Sequence, residues 1–461
     1  MRARIEPHAF SGLVRVPASK SHTIRRLLIA ALAGGVSEID YPLDSLDARS
    51  CVSVCRTLGA EIAEDRARED LCANPADREG KKLVRWTVRG KGAAWGREGS
   101  VCDVGNSGTT LFLGLAAAAL GTAPVTFTGD EQIGRRSAAP LLEALAGLGV
   151  GVSSAESGCI PITVRGPWKG GRVCLPCPTS QYLSALLLAA PLAGSSGTVT
   201  EIEVPLLNER PYVELTLSYL KAQEAPYTGA ADFSFFRIPG GASYKPTKGP
   251  VPGDFSSAAF PAAAAAITGG PVTLLGLDPR DTQGDKVFFD ILAQMGCEVM
   301  WTRDPAPAGA PRDGGWRVRV SRQGPLRGGE FDLNAAPDLL PVTAALAAYA
   351  GGETALINAA HARIKETDRI AVMAAELGKL GVDIRERPDG LIIRGAGKRR
   401  RPSSVPITVD GRGDHRVVMA LAAAALGDPS MPGGPVEIEG AESAAVTYPE
   451  FLKLLGAAII G

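Results

Sequence analysis

The chain has 461 residues, enough for about two to four compact cores, and its 49 Lys and Arg balance 49 Asp and Glu. That balance excludes bulk charge as a means of recognising nucleic acid, membrane or an acidic partner, so charge-driven binding must be local. Eight Cys and four His are present. The close pairs Cys51/Cys55 and Cys174/Cys177 lack a second pair at zinc-ligand spacing, so they read as reduced structural thiols and no metal site is expected.

The amino-terminal MRARIEPHAF has no apolar signal region, and no Ala/Leu run reaches about 18 residues without Pro, Gly, Thr or charge. A soluble cytoplasmic protein without membrane association is expected. The first helical element lies in VPASKSHTIRRLLIAALAG (16–34), where Ser19 or Ser21 can cap the helix and Pro17 sits just outside it. The pattern then recurs: GNSGTTLFLGLAAAALG (105–121), TSQYLSALLLAAPLAG (179–194), GDFSSAAFPAAAAAITGG (253–270), APDLLPVTAALAAYAGG (336–352) and GDHRVVMALAAAALG (413–427). Each is an Ala/Leu run behind a small or polar entry.

A more polar helix follows each run, with apolar residues three and four apart. These helices are expected over 46–59, 135–149, 210–221, 283–296, 366–381 and 447–456. Short β-branched segments bounded by Gly or Pro, such as PVTFTG, GPVTLLG and DGLIIRG, supply strands between them. The chain is therefore six α/β units of roughly 77 residues, each with one buried and one half-exposed helix, and that length favours compact lobes over a solenoid. The Gly- and Pro-rich stretch 227–253 is the candidate crossing between lobes, and the charged stretch 64–82 a solvated loop or hairpin. GAGKRR (395–400) is not a P-loop, and GKRRRP (397–402), without interleaved aromatic residues, reads as a solvated loop and not a nucleic-acid site.

Helix starts expose unpaired amides and a partial positive charge, so several aimed at one place trap anions. The starts here carry Lys20, Ser21 and Arg25; Asn106, Gly108 and Thr109; Thr179, Ser180 and Gln181; Asp254; Asp338; and Asp414, His415 and Arg416. The half-exposed helices add Arg136, Lys365, Glu366 and Arg369. Each alone reads as a cap or a surface ion pair. Together, six cations suit two polyanionic small substrates, and carboxylates placed among them suit proton transfer.

The blocks PASKSHTIR, GNSGTT, TGDEQIGRR, TSQYLSALLLAAPL, RPYVELTL, PGDFSSA, PDLLPVTAALA, RIKETDR, GDHR and TYPEF, in this order, resemble the EPSP synthase branch of the enolpyruvyl transferases from about residue 5 to the C-terminus. The resemblance implies a two-lobed inverse α/β prism with three repeats of strands around buried helices per lobe. Residues 1–18 and 252–461 would form the C-terminal lobe, residues 19–251 the N-terminal lobe, with the active-site cleft between them and closing on ligands. It also implies transfer of the enolpyruvyl group of phosphoenolpyruvate to the 5-hydroxyl of shikimate 3-phosphate by a cytoplasmic monomer, without metal or cofactor.

By the same resemblance Lys20, Asp338 and Glu366 are the candidates for proton transfer, with His415 nearby. Lys20, Arg136, Arg369, Arg416 and the Gly108 backbone would hold phosphoenolpyruvate, with Gln181 in reach of both substrates. Ser21 and Arg25 would take the shikimate carboxylate, Thr179 and Ser180 its phosphate, with Tyr212, Lys365 and Asp338 also facing it. Departures stand at Glu209, where a phosphate-binding Ser is common and a carboxylate would repel phosphate unless it turned away or paired with Arg210. Others are Phe112, Ser137, Val446 and His361. A related transferase acting on UDP-N-acetylglucosamine is the nearest alternative; its pattern has Lys-Asn in place of Lys20-Ser21 and a loop Cys, whereas here Cys102 precedes GNSGTT. A second alternative is a degenerate paralogue that only binds an anionic metabolite.

Overall fold

A computed structural model describes residues 1–67, 82–92, 99–303, 315–395, 406–427 and 434–460. The helices in chain order are α1 (Lys20–Leu32), α2 (Leu46–Thr57), α3 (Gly108–Ala118), α4 (Ala139–Gly147), α5 (Ser180–Ala189), α6 (Arg210–Ala222), α7 (Phe255–Thr268), α8 (Val287–Gln294), α9 (Leu340–Ala347), α10 (Arg369–Lys379), α11 (His415–Leu426) and α12 (Phe451–Leu454). The odd-numbered helices are the Ala/Leu runs. Every residue of α3, α7, α9 and α11 is buried, the expected fate of a helix with no polar face. The even-numbered helices bury one stripe; α10, for example, buries Arg369, Ile370, Met373, Glu376 and Leu377.

The described strands form six four-stranded sheets. All six share one pairing scheme: a parallel pair, then two antiparallel neighbours. In one, Gly171–Cys174 runs parallel to Val199–Glu203, which is antiparallel to Phe235–Pro239. In another, Glu330–Asp332 runs parallel to Gly352–Ile357, antiparallel in turn to Gly390–Gly395. The repeat visible in the helices thus extends to strand register.

The described residues divide into two compact units. One comprises Lys20–Ala67 and Lys82–Val251, the other Met1–Ser19 and Pro252–Gly461. The first unit closes on itself because its last strand, Lys248–Pro250, runs parallel to Gly34–Asp40 near its start. In the second, Arg2–Ile5 pairs antiparallel with Val436–Glu439 and Gly12–Arg15 runs parallel to Val272–Leu275, so strands from the chain start complete two of its sheets. Within the first unit α3 packs on α1 and α5; within the second α7, α9 and α11 pack on one another. The many Ala side chains let these backbones approach closely.

The stretch 227–253, expected as a crossing, carries strands Thr228–Gly229, Phe235–Pro239 and Lys248–Pro250, all paired within the first unit, and the division between the units falls at its end, between Val251 and Pro252. Of 64–82, the ends belong to the antiparallel pair Glu61–Ala67 and Lys82–Lys91, and the rest lies outside the described residues, as do GKRRRP and most of GAGKRR. Among the described residues no helix is long and apolar enough to cross a membrane. The described Cys are all free, and burial pushes the thiols of Cys102 and Cys177 up to about 12, which makes them inert packing groups.

Candidate active site

In the first unit, three helix starts carry most of the chemistry. At α1, Lys20 Nζ lies 2.9 Å from Asp47 Oδ2 on α2, with both side chains largely buried. One turn on, Arg25 is buried and its guanidinium is met only by neutral oxygens: Thr216 Oγ1 at 2.9 Å, Ser184 Oγ at 3.3 Å and the carbonyls of Tyr212 at 3.3 Å and Ser21 at 3.2 Å. No carboxylate pairs with it among the described residues, and burial holds its pKa down to about 10. A buried cation in such a cage is suited to take an anion, because a carboxylate entering it finds a charge already desolvated.

At α3, Ser107 accepts a hydrogen bond from Thr110 N and caps the helix, leaving Gly108 as its first residue. The Arg136 guanidinium lies against Gly108 where a Cβ would stand. It also lies 5.7 Å from the centre of the Phe112 ring. Phe112 meets Tyr182 edge to face at 5.0 Å, and the Tyr182 hydroxyl donates to the Ser137 carbonyl at 2.6 Å. Phe112 and Ser137 therefore form part of the seat of Arg136. Gly108→Ala should leave the denaturation midpoint nearly unchanged, since the obstructing atoms end a flexible side chain, but push Arg136 aside and, if that guanidinium holds a substrate anion, raise the KM for that substrate about tenfold. Steady-state kinetics with the acceptor held saturating checks this.

At α5, Thr179 caps the helix, Ser180 follows, and the buried Gln181 Oε1 finds no hydrogen-bond partner among the described residues. Such an atom favours a ligand that brings a donor. Glu209 does not turn away: it is 2% exposed, and its Oε2 accepts from Thr179 Oγ1 at 3.1 Å, Ser180 N at 3.0 Å and Ser180 Oγ at 2.8 Å. Arg210 bonds Glu214 and the Ala231 carbonyl and stacks on Phe233.

The second unit holds a denser cluster built around Arg369, the first residue of α10 and 0% exposed. Its Nη1 lies 2.7 Å from Asp338 Oδ1, its Nη2 2.6 Å from Glu366 Oε2 and its Nε 2.8 Å from Asp414 Oδ2. Burial works against this charge, but the fields of Asp414, Glu366 and Asp338 outweigh it and hold Arg369 protonated well above its ordinary range. Arg416 Nη2 approaches Asp338 Oδ2 at 2.8 Å and its Nη1 donates to Ser256 Oγ. Lys365 Nζ is 3.9 Å from Asp338. Asp414 also caps α11 through Arg416 N and Val417 N, fixing His415 and Arg416 at the helix start. Carboxylates and cations thus alternate within hydrogen-bond reach, an arrangement able to exchange protons and, by giving up an internal ion pair, to bind an anion.

The first unit brings together Ser21 and Arg25, Thr179 with Ser180, and Gly108 with Arg136; the second brings together Asp338, Lys365, Glu366, Arg369 and Arg416, with His415 adjoining. Sequence reasoning missed Asp47, Ser184, Thr216 and Ser256, the polar partners of these groups. Their only signal was a polar residue in an otherwise apolar helix face, as in SQYLSALLLA and VELTLSYL, or an acid in the first turn of α2.

The family model described as EPSP synthase (3-phosphoshikimate 1-carboxyvinyltransferase) matches residues 5–455. A 3-phosphoshikimate 1-carboxyvinyltransferase from Acetivibrio thermocellus is 43% identical over 456 residues, covering 99% of this chain and 97% of the relative. One from Halobacterium salinarum is 38% identical over 468 residues, covering 99% and 98%. A solved EPSP synthase from Acinetobacter baumannii superposes with a TM-score of 0.76 at 27% identity, covering 99% of this chain and 97% of that one. The chain belongs to the EPSP synthase family and has its inverse α/β prism fold.

Proposed function

We infer that this chain transfers the enolpyruvyl group of phosphoenolpyruvate to the 5-hydroxyl of shikimate 3-phosphate, releasing phosphate, as a step of the shikimate pathway. Family membership over nearly the whole chain carries the reading, and the Arg369 cluster of three carboxylates beside cations supports it with groups suited to proton transfer. The methylene carbon C3 of phosphoenolpyruvate takes up a proton while the acceptor hydroxyl gives up its own and its oxygen bonds to C2. The tetrahedral adduct then loses a proton from C3 as the bond between C2 and the phosphate oxygen breaks, which restores the double bond and frees phosphate.

In this reading Lys20, Asp338 and Glu366, with His415 beside them, move these protons. Lys20, Arg136, Arg369, Arg416 and the Gly108 amide hold the donor's carboxylate and phosphate. For Arg369 and Arg416, that means exchanging a protein carboxylate for a substrate anion. Ser21 and Arg25 take the acceptor's carboxylate, Thr179 and Ser180 its phosphate with Tyr212 beside it, and Gln181, Lys365 and Asp338 its remaining polar groups. The reading carries with it a monomer acting on small molecules in the cytoplasm.

Phosphate release by the purified protein, with each substrate omitted in turn, tests the function. Release that needs both is expected; release with UDP-N-acetylglucosamine in place of shikimate 3-phosphate, or none with either, would overturn it. The Arg25 cage adds a sharper expectation. Arg25→Met removes a costly buried charge while Thr216 Oγ1 still donates to Ser184 Oγ at 2.9 Å or to the Tyr212 carbonyl at 3.0 Å. The denaturation midpoint should hold or rise while the acceptor KM rises about a hundredfold. A matching loss of stability would make Arg25 a packing residue instead.

A further inference from the structure

Glu209 is the one departure from the family pattern that lies inside the acceptor's proposed phosphate seat. It stands just before α6 in the left-handed backbone region, φ 58° and ψ 39°, which a non-glycine residue adopts at some cost. Its carboxylate is buried against the start of α5, and a single oxygen, Oε2, collects the Thr179 hydroxyl, the Ser180 amide and the Ser180 hydroxyl within 2.8–3.1 Å. Three convergent donors around one oxygen at a helix start are what a phosphoryl oxygen needs. The protein supplies that oxygen itself.

We propose that Glu209 is an internal stand-in for the acceptor's phosphate, occupying the Thr179–Ser180 seat until shikimate 3-phosphate displaces it, and so a determinant of specificity. The inference rests on the proposed function for the identity of the ligand. A phosphate dianion and a carboxylate cannot share these three donors, because like charges at such separations repel strongly away from bulk water. Any phosphate that binds must therefore evict Glu209. Shikimate 3-phosphate offsets the eviction through its carboxylate on Arg25 and its ring on neighbouring groups. Inorganic phosphate, which the reaction itself releases, has no such second contact. Glu209 thus weakens both ligands but excludes free phosphate, trading affinity for selectivity.

The test is calorimetric titration of the full chain and of Glu209→Gln and Glu209→Ser with three probes: shikimate 3-phosphate, shikimate and inorganic phosphate. Gln keeps the shape and one acceptor oxygen without the charge, so it also serves if the Ser variant fails to fold. Affinity for shikimate 3-phosphate should rise about tenfold or more in either folded variant. Inorganic phosphate should change from no measurable binding to measurable binding, and shikimate should be unaffected. Unchanged or weaker binding of both phosphate probes would overturn the proposal, as would an equal gain for shikimate, which would signal a general loosening of the site. Failure of the functional reading looks different: the unaltered chain would release no phosphate from phosphoenolpyruvate and shikimate 3-phosphate, while the inorganic phosphate titration would still report on Glu209.

Discussion

Replacing Arg369 with Leu destabilises the second unit by about 3–5 kcal/mol and abolishes turnover, the largest combined effect expected of any single change in this chain. The substitution leaves Asp338, Glu366 and Asp414 facing one another without the guanidinium that bonds all three. Asp338 keeps Arg416 and Lys365 nearby, but Asp414, with a side chain 0% exposed, is left far less compensated. Chemical denaturation followed by circular dichroism should show a lower midpoint for Arg369→Leu. Arg369→Lys should recover part of the stability and little of the turnover, because an ammonium cannot bond three carboxylates in the plane of a guanidinium. Stability equal to that of the unaltered chain in both variants would mean the cluster is not the keystone of this unit.

Lys20→Met is expected to lower kcat about a thousandfold or more while leaving a folded protein. Its ammonium is the cation at the start of α1, paired with Asp47 at 2.9 Å and largely shielded from water. On the proposed reading its removal takes away a charge and a proton source together, and it leaves Asp47 without that partner, so a modest drop in midpoint should accompany the loss. Lys20→Arg separates the two effects. It preserves the ion pair with Asp47, so stability should return, but its proton is not available for transfer near neutral pH. If Lys20→Arg restores most of the turnover, Lys20 serves only as a fixed charge. If kcat stays low while substrate KM values stay close to normal, proton transfer is its role.

Much of this molecule is legible in its amino-acid sequence. The six Ala/Leu runs announce buried helices because a helix without a polar face has nowhere else to go, and their small or polar entries announce the starts where caps and anion sites form. Both signals are local. What stays hidden depends on contacts between distant segments. Gly12–Arg15 lies beside Val272–Leu275, and nothing in either tetrapeptide specifies the other. The stretch 227–253 has the composition of a linker, yet its strands are held by backbone hydrogen bonds to neighbours that composition does not reveal. Arg25 can be picked out from SKSHTIR, but its cage of Thr216 and Ser184 depends on the packing of α5 and α6 against α1. Glu209 is visible as an odd residue. Its destination, some thirty positions back along the chain at Thr179 and Ser180, is decided by the turn that places α6 beside α5.

The most direct test of enolpyruvyl transfer is the fate of the donor carbon. Phosphoenolpyruvate labelled with carbon-13 at C2 is incubated with shikimate 3-phosphate and the full chain, and the products are read by carbon and phosphorus magnetic resonance. The label should appear in an enol ether on the acceptor's 5-hydroxyl, with the acceptor's own phosphate retained and one equivalent of inorganic phosphate released. Label in free pyruvate, or unreacted phosphoenolpyruvate beside a folded protein, would contradict it.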